Sequence, residues 1–303
     1  MKITYIVAFI IFYLTFNGCR PSKSNDLKAI NKHDTPTVVI SKNISDTPLT
    51  YHLLVLNKNN ISLLRSITSH DKLNVIFALN RVDSLHLFSQ DTLVIPDTFI
   101  TDLRAYSPFP SQVDELNTVH KIIFINYTTQ DFGAYEHGKL LRWGPISMGN
   151  ESTPTPTGLF FTNWKSKRTV STDNPDWIMN WYFNLDNTRG VSIHEYALPG
   201  YAASHACIRM LHSDAFWFYY WADQWILESK TKISAYGTPA IIFGQYLYGK
   251  QKPWLKLSDN KTILPISKEE VLGVLQGHLS LILERQAIRD TLITNAKKQA
   301  NVN

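Results

Sequence analysis

Between Val119 and Thr162 short apolar runs alternate with turn-forming residues, and this rhythm most narrows the folds open to the chain. Val119–Ile125 is rich in β-branched and aromatic side chains and reads as a strand. Phe132–Trp143 reads as a hairpin with Glu136, His137 and Gly138 at its turn, and Ser147-Met148-Gly149 ends another strand. Thr155-Pro156-Thr157-Gly158 predicts a rigid turn, in which proline fixes one backbone angle and glycine frees another. It leads into a strand over Leu159–Thr162. Many short strands parted by turn residues predict a mostly β domain.

The rest of the composition sets limits. A chain of 303 residues suits one large domain or two modest ones. With 44% apolar residues it is not wholly disordered, and two cysteines cannot make a disulfide-rich scaffold. The formal charge of +5 is mild, and no basic run is dense enough to predict nucleic-acid binding.

The first residues read as an address. Lys2 is followed by the uncharged, apolar run Ile3–Phe16, which falls short of the about 20 residues of a membrane-spanning helix. Gly18 and Cys19 come next. A cation, a short apolar stretch and a small residue make a secretory signal peptide. Gly18-Cys19 resembles the bacterial lipobox, although Phe16 and Asn17 depart from its usual residues. That resemblance implies a signal peptide over residues 1–18 and a lipidated Cys19. Residues 19–48 read as a flexible tether. The expectation is a periplasmic protein anchored in a membrane by its N-terminal lipid. Arg20 after the cysteine points to the outer membrane of a Gram-negative bacterium.

Residues 49–99 form a small unit. Tyr51–Leu56 alternates like a strand, Ile61–Ile67 and Leu73–Leu79 carry helical spacing, and Asp91–Pro96 closes with a second strand. This α+β order resembles a LysM domain, with Leu79-Asn80, Asp91-Thr92-Leu93 and Ile95-Pro96 as the best match. Lys58-Asn59-Asn60-Ile61 and Gln90 depart from it. The resemblance implies a grip on N-acetylglucosamine-containing glycans. The alternative is a small packing domain that spaces the next one from the membrane.

The chemistry concentrates around Cys207, the one thiol left if Cys19 carries lipid. A thiol attacks as thiolate, so it needs a base or a cation nearby. His205 precedes it by two residues and would share its face on a strand. His194 lies across a loop containing Pro199-Gly200 that could return it to the thiol. Arg209 follows. A buried apolar cysteine is the alternative.

Ser204-His205-Ala206-Cys207-Ile208-Arg209-Met210 resembles the Ser-His-Gly-Cys-Ile/Val-Arg signature of the L,D-transpeptidase (YkuD-like) catalytic domain. Val191–His194, residues 126–148, Thr155–Gly158 and Gly237–Ile242 match the same family in order. The resemblance implies a mostly β catalytic domain over residues 119–246, a YkuD-like β-sandwich with short helices. It also implies roles. Cys207 would be the nucleophile, His194 its base, and the Glu195 carbonyl the third member. His205 would orient or polarise the site, and N–H groups around Ala206 and Cys207 would hold the oxyanion. Ser204 would bind substrate or brace the site, and Arg209 would brace the loop or meet a substrate carboxylate. Ala206 departs from the usual glycine and would be strained if its φ is positive. Glu195 also stands where glycine is common, and its carboxylate could raise the pKa of the base or meet an amine.

The implied activity is peptidoglycan acyl transfer from tetrapeptide donor stems to acceptor stems, giving 3→3 crosslinks. It needs no cofactor or metal, and carbapenem-type β-lactams would acylate the same thiol. Water as acceptor would make an L,D-carboxypeptidase or hydrolase. A different class altogether is an inactive peptidoglycan-binding lipoprotein. Trp181 or Tyr182 would line the donor channel. Trp217, Trp221 and Trp225 recur every four residues and predict one packed helix face. The C-terminal extension, residues 247–303, predicts a helix from Ser267 to about Asn295. Ser267 and Glu270 form its capping pattern, and Val271, Leu275, Leu279 and Ile282 its apolar face.

Overall fold

The strand rhythm of the sequence becomes a nine-stranded mixed sheet in a computed structural model of the chain. The structure describes residues 49–301, except 59, 68, 173 and 260–264. The expected signal peptide, Cys19 and the tether lie outside the described residues.

The first unit runs β1 (Tyr51–Val55), α1 (Ile61–Arg65), α2 (His70–Asn80) and β2 (Thr92–Pro96), with β1 and β2 paired antiparallel. Asn80 ends α2 and ties it to β2, its side chain donating to Val94 O and accepting from Val94 N. Arg81 follows in the left-handed region, at φ 56°.

The large sheet takes β3 (Lys121–Asn126), β4 (Asp131–Glu136), β5 (Lys139–Ser147), β6 (Gly158–Phe161), β7 (Lys165–Val170), β8 (Ile178–Asp186), β9 (Val191–Glu195) and β10 (Ile208–Met210). After them come α3 (His212–Trp221), the small pair β11 (Ile226–Leu227) and β12 (Ile233–Ala235), and β13 (Pro239–Phe243), which returns to the large sheet. The order across the sheet is β6-β13-β3-β4-β5-β10-β9-β8-β7. The β4–β5 hairpin turns at His137 and Gly138, both with positive φ (47° and 76°). That is the backbone a two-residue turn needs to match strand twist. Ser147-Met148-Gly149 closes β5 itself rather than a separate strand.

The mostly β expectation holds, and the sheet curls so that its two halves face each other. Ile123, Phe132 and Ile146 from one half meet Phe183, Val191 and Ile193 from the other in one core. Alternate residues of the same strands point the opposite way. Phe124, Tyr135 and Trp143 form a second core with Val75 and Leu79 of α2. Burial on both faces explains why β3 reads as an unbroken apolar run rather than an alternating one.

The C-terminal helix covers the same outer face. It is two helices, α4 (Lys268–Gln276) and α5 (Leu279–Ala300), because the chain breaks at Gly277-His278. Ser267 caps α4 by accepting from Glu270 N at 3.1 Å. Val271, Leu275 and Ile282 are buried in the second core, and Leu279 packs on its edge.

Candidate active site

Two adjacent strands bring the expected pair together. β9 and β10 run parallel, with Ile193 opposite Ile208 and His194 opposite Arg209. Alternation puts Ser192 and His194 on one face of β9, and Cys207 and Arg209 lie beside them. All four line one cavity of about 370 Å³. Cys207 directly precedes β10 and continues its register opposite Ser192, so base and thiol are one strand spacing, ~4.8 Å, and two residues apart along the strands.

His194 is buried, and its Nδ1 lies 2.9 Å from the Glu195 carbonyl oxygen. A carbonyl only accepts, so Nδ1 carries the proton and Nε2 keeps the lone pair. Burial pulls the imidazole down to about 4 from its ordinary 6.5. The carbonyl bond opposes that shift, and the Arg209 charge adds to it. The ring is therefore neutral at neutral pH, with Nε2 free to accept a proton.

The Glu195 carboxylate goes elsewhere. It lies on the other face of β9 and pairs with His212 Nδ1 at 2.9 Å. The expectation that it raises the base is thus corrected: strand alternation points residues 194 and 195 to opposite sides.

The thiol is half-buried. Its Sγ lies 3.2 Å from Ser192 Oγ and 3.3 Å from the Gly190 carbonyl oxygen. Ser192 is itself fully buried and bonds the Tyr182 hydroxyl. Asn184 donates to that hydroxyl at 3.1 Å. Asn184, Tyr182, Ser192 and Cys207 thus form a polar chain running to the sulfur. The sequence reading missed Ser192, although it stands two residues before the histidine on a strand, a spacing that already shares the face.

Ser204 bridges Gly149, and residues 205–207 form a bend rather than a strand. His205 lines the cavity by projecting from this bend, and its ring lies 4.7 Å from that of Trp177. Ser204 is buried and donates to the Cys207 carbonyl, so it braces the bend. Thr153 and Thr155 add to this, donating their hydroxyls to the Ser204 and Ala206 carbonyls. That gives Thr155 of the Thr-Pro-Thr-Gly segment, and Thr153 just before it, a task that turn chemistry alone did not reveal.

Ala206 sits at φ 69°, the left-handed conformation that favours glycine. The strain costs about 1–2 kcal/mol, and the Thr153 and Thr155 contacts hold it. Its N–H donates to the Thr153 carbonyl at 3.1 Å. That amide is thus engaged within the protein.

Arg209 places its guanidinium 4.6 Å from the Tyr196 ring centroid and lines the cavity. Among the described residues it has no carboxylate partner. Burial pulls its pKa down, while Tyr196 and Cys207 raise it.

The aromatic expectations divide. Tyr182 lines the cavity, but Trp181 does not. Trp181 has φ 50° at a bulge in β8 and packs against Phe216 and Tyr219 of α3. Trp177 takes the place by the cavity instead. Trp217 and Trp221 stack at 4.7 Å on α3 and pack on the core, whereas Trp225 lies beyond the helix end.

Residues 120–242 match the family model of YkuD, the L,D-transpeptidase catalytic domain. No curated protein matches the chain. Solved structures similar to it include an L,D-transpeptidase from Stackebrandtia nassauensis, at 20% identity and TM-score 0.34, covering 42% of this chain and 57% of that one. Another is from Mycobacterium smegmatis, at 16% identity and TM-score 0.33, covering 65% of this chain and 100% of that one. A third is from Xylanimonas cellulosilytica, at 21% identity and TM-score 0.35, covering 46% and 65%. The chain thus spans little more than half of the first of these.

Proposed function

From the L,D-transpeptidase catalytic domain that residues 120–242 carry, we propose that this chain transfers acyl groups between peptidoglycan stems through a thioester on Cys207. The observation that carries the reading is the cavity shared by Cys207 and His194, with Nδ1 of that histidine tied to the Glu195 carbonyl.

The steps follow from the atoms present. His194 Nε2 takes the thiol proton, and the thiolate attacks the carbonyl of the third residue of a tetrapeptide stem. The peptide bond to the terminal D-alanine breaks. The imidazolium returns its proton to the leaving amine, and a thioester remains on Cys207. The side-chain amine of a neighbouring stem then attacks the thioester, giving a 3→3 crosslink and restoring the thiol. The leaving residue carries a carboxylate, and Arg209 is the cation lining the cavity without a carboxylate of its own. Tyr182 and Trp177 give the donor stem apolar walls. The lipid on Cys19 would hold this activity at the periplasmic face of a membrane, and the module of residues 49–99 would follow the LysM pattern.

Mass spectrometry tests the reaction directly. Incubation with a disaccharide tetrapeptide or a carbapenem should add one acyl group to the Cys207 peptide. The Cys207→Ala variant should gain none. The released muropeptides report the acceptor, crosslinked dimers for a stem amine and tripeptides for water. An unmodified Cys207 in a folded protein would end the proposal.

A further inference from the structure

The stretch between His194 and Ser204 joins the strand of the base to the bend of the thiol, and the N-terminal unit grips it. Val82 bridges Pro199 antiparallel. Asp83 N donates to the Leu198 carbonyl at 3.1 Å, and Leu198 N donates back to Asp83 Oδ2 at 2.8 Å. The other Asp83 oxygen accepts from Leu85 N, His86 N and His86 Nδ1 at 2.7–2.9 Å. One carboxylate thus staples a turn of the module to the loop. Gln90 adds a bond from Nε2 to the Pro199 carbonyl at 3.1 Å. Gly200 has φ 84°, and a Cβ there would lie 2.7 Å from Gln90 Oε1, so the loop passes as close as a glycine allows.

The anchor itself is fixed. Arg81, two residues before Asp83, is buried and bonds the Thr129 carbonyl in the β3–β4 turn and the Asp131 carboxylate at the start of β4. Leu198 is fully buried. Beyond it, Ser147 holds the Tyr201 carbonyl and the Ala203 amide. The loop is therefore pinned by the sheet at both ends, through Tyr196 N on the Met210 carbonyl and through Ser147, and by the module between them. Among the described residues, Asp83 is the side-chain acceptor for Leu198 N.

We infer that Asp83 is a positioning residue for the loop linking His194 to Cys207, which makes the N-terminal module a working part of the active site rather than a spacer. The inference rests on Cys207 being the reactive group proposed above, but thiol alkylation tests it without any substrate. Iodoacetamide labelling, followed by mass spectrometry on the Cys207 peptide across pH 5–10, reads the ionisation and access of the thiol. In Asp83→Ala the loop loosens, and the labelling profile should shift toward higher pH, with a several-fold lower rate at pH 7. Asp83→Asn keeps one acceptor and should recover part of the rate. Leu54→Ala, which weakens the module's own core without removing a bond to the loop, should lower the melting temperature yet leave the profile unchanged. If Asp83→Ala does not fold, Gln90→Ala gives the same reading through the Pro199 contact. A profile in Asp83→Ala or Gln90→Ala that overlays the wild type overturns the inference. So does an equal shift in Leu54→Ala, which would make the module a stabiliser only. A tetrapeptide that leaves Cys207 unmodified, alongside a shifted alkylation profile, would sink the reaction assigned above and leave the positioning role standing.

Discussion

The sulfur of Cys207 has a serine hydroxyl against it, and that hydroxyl is the end of a buried chain through Tyr182 and Asn184. Once the sulfur is ionised it can only accept, so the Ser192 hydroxyl beside it donates and favours the thiolate. A hydrogen bond to a charged group is worth about 1.5–3 kcal/mol, and one pKa unit is about 1.4 kcal/mol. Ser192→Ala is therefore expected to raise the thiol pKa by about one unit, seen as a later midpoint in the ultraviolet absorbance of the thiolate. Ser192→Thr keeps the hydroxyl and should stay near the wild type. The neighbouring base carries its own signature. His194 binds a proton at about 4 when folded and at about 6.5 when unfolded. The unfolded chain thus holds more protons between those values, and stability is lost as pH falls through that window. The loss approaches about 3 kcal/mol below pH 4. Urea unfolding at pH 7 and pH 4.5 should show a larger drop for the wild type than for His194→Gln.

At the scale of elements, local signals carried well and tertiary ones did not. The β4–β5 hairpin was legible because Glu-His-Gly at a turn has one good backbone solution. The order β1-α1-α2-β2 was legible because apolar spacing changes sharply at each junction. The pairing of β9 with β10 was not, because parallel neighbours separated by a loop leave no local mark. The helix predicted from Ser267 kept its cap and its apolar face but not its continuity. A single stripe fits both α4 and α5, and Gly277 lets the chain turn between them. Trp181 was misplaced for a similar reason: a bulge in β8 shifts the alternation, and no residue nearby advertises it. Trp225 continued a helical spacing past the point where Ala222 returns to extended backbone. Of the site, the residues named by their own chemistry were readable. Those that serve by contact, such as Ser192, Thr153 and Thr155, became visible only once the chain was folded.

At the scale of the whole molecule, one ion pair among the described residues joins the first unit to the sheet. Arg81 and Asp131 meet at 2.6 Å with almost no exposure, between the rings of Trp143 and Trp254. Burial pushes the guanidinium down and the carboxyl up, and their attraction opposes both shifts. Removing one partner strands the other charge. Arg81→Ala should cost about 3–5 kcal/mol in chemical unfolding, and pairing it with Asp131→Ala should recover part of that loss.

The outer face of the sheet makes a broader point. Phe124, Tyr135 and Trp143 are covered by α2 from upstream and by α4 and α5 from downstream. A polypeptide trimmed to residues 119–246 would keep Cys207, Ser192, Gly190 and His194 and yet present a bare greasy wall to water. Such a fragment should clump when expressed. A homologue that exchanges either flank must therefore bring a replacement cover with it.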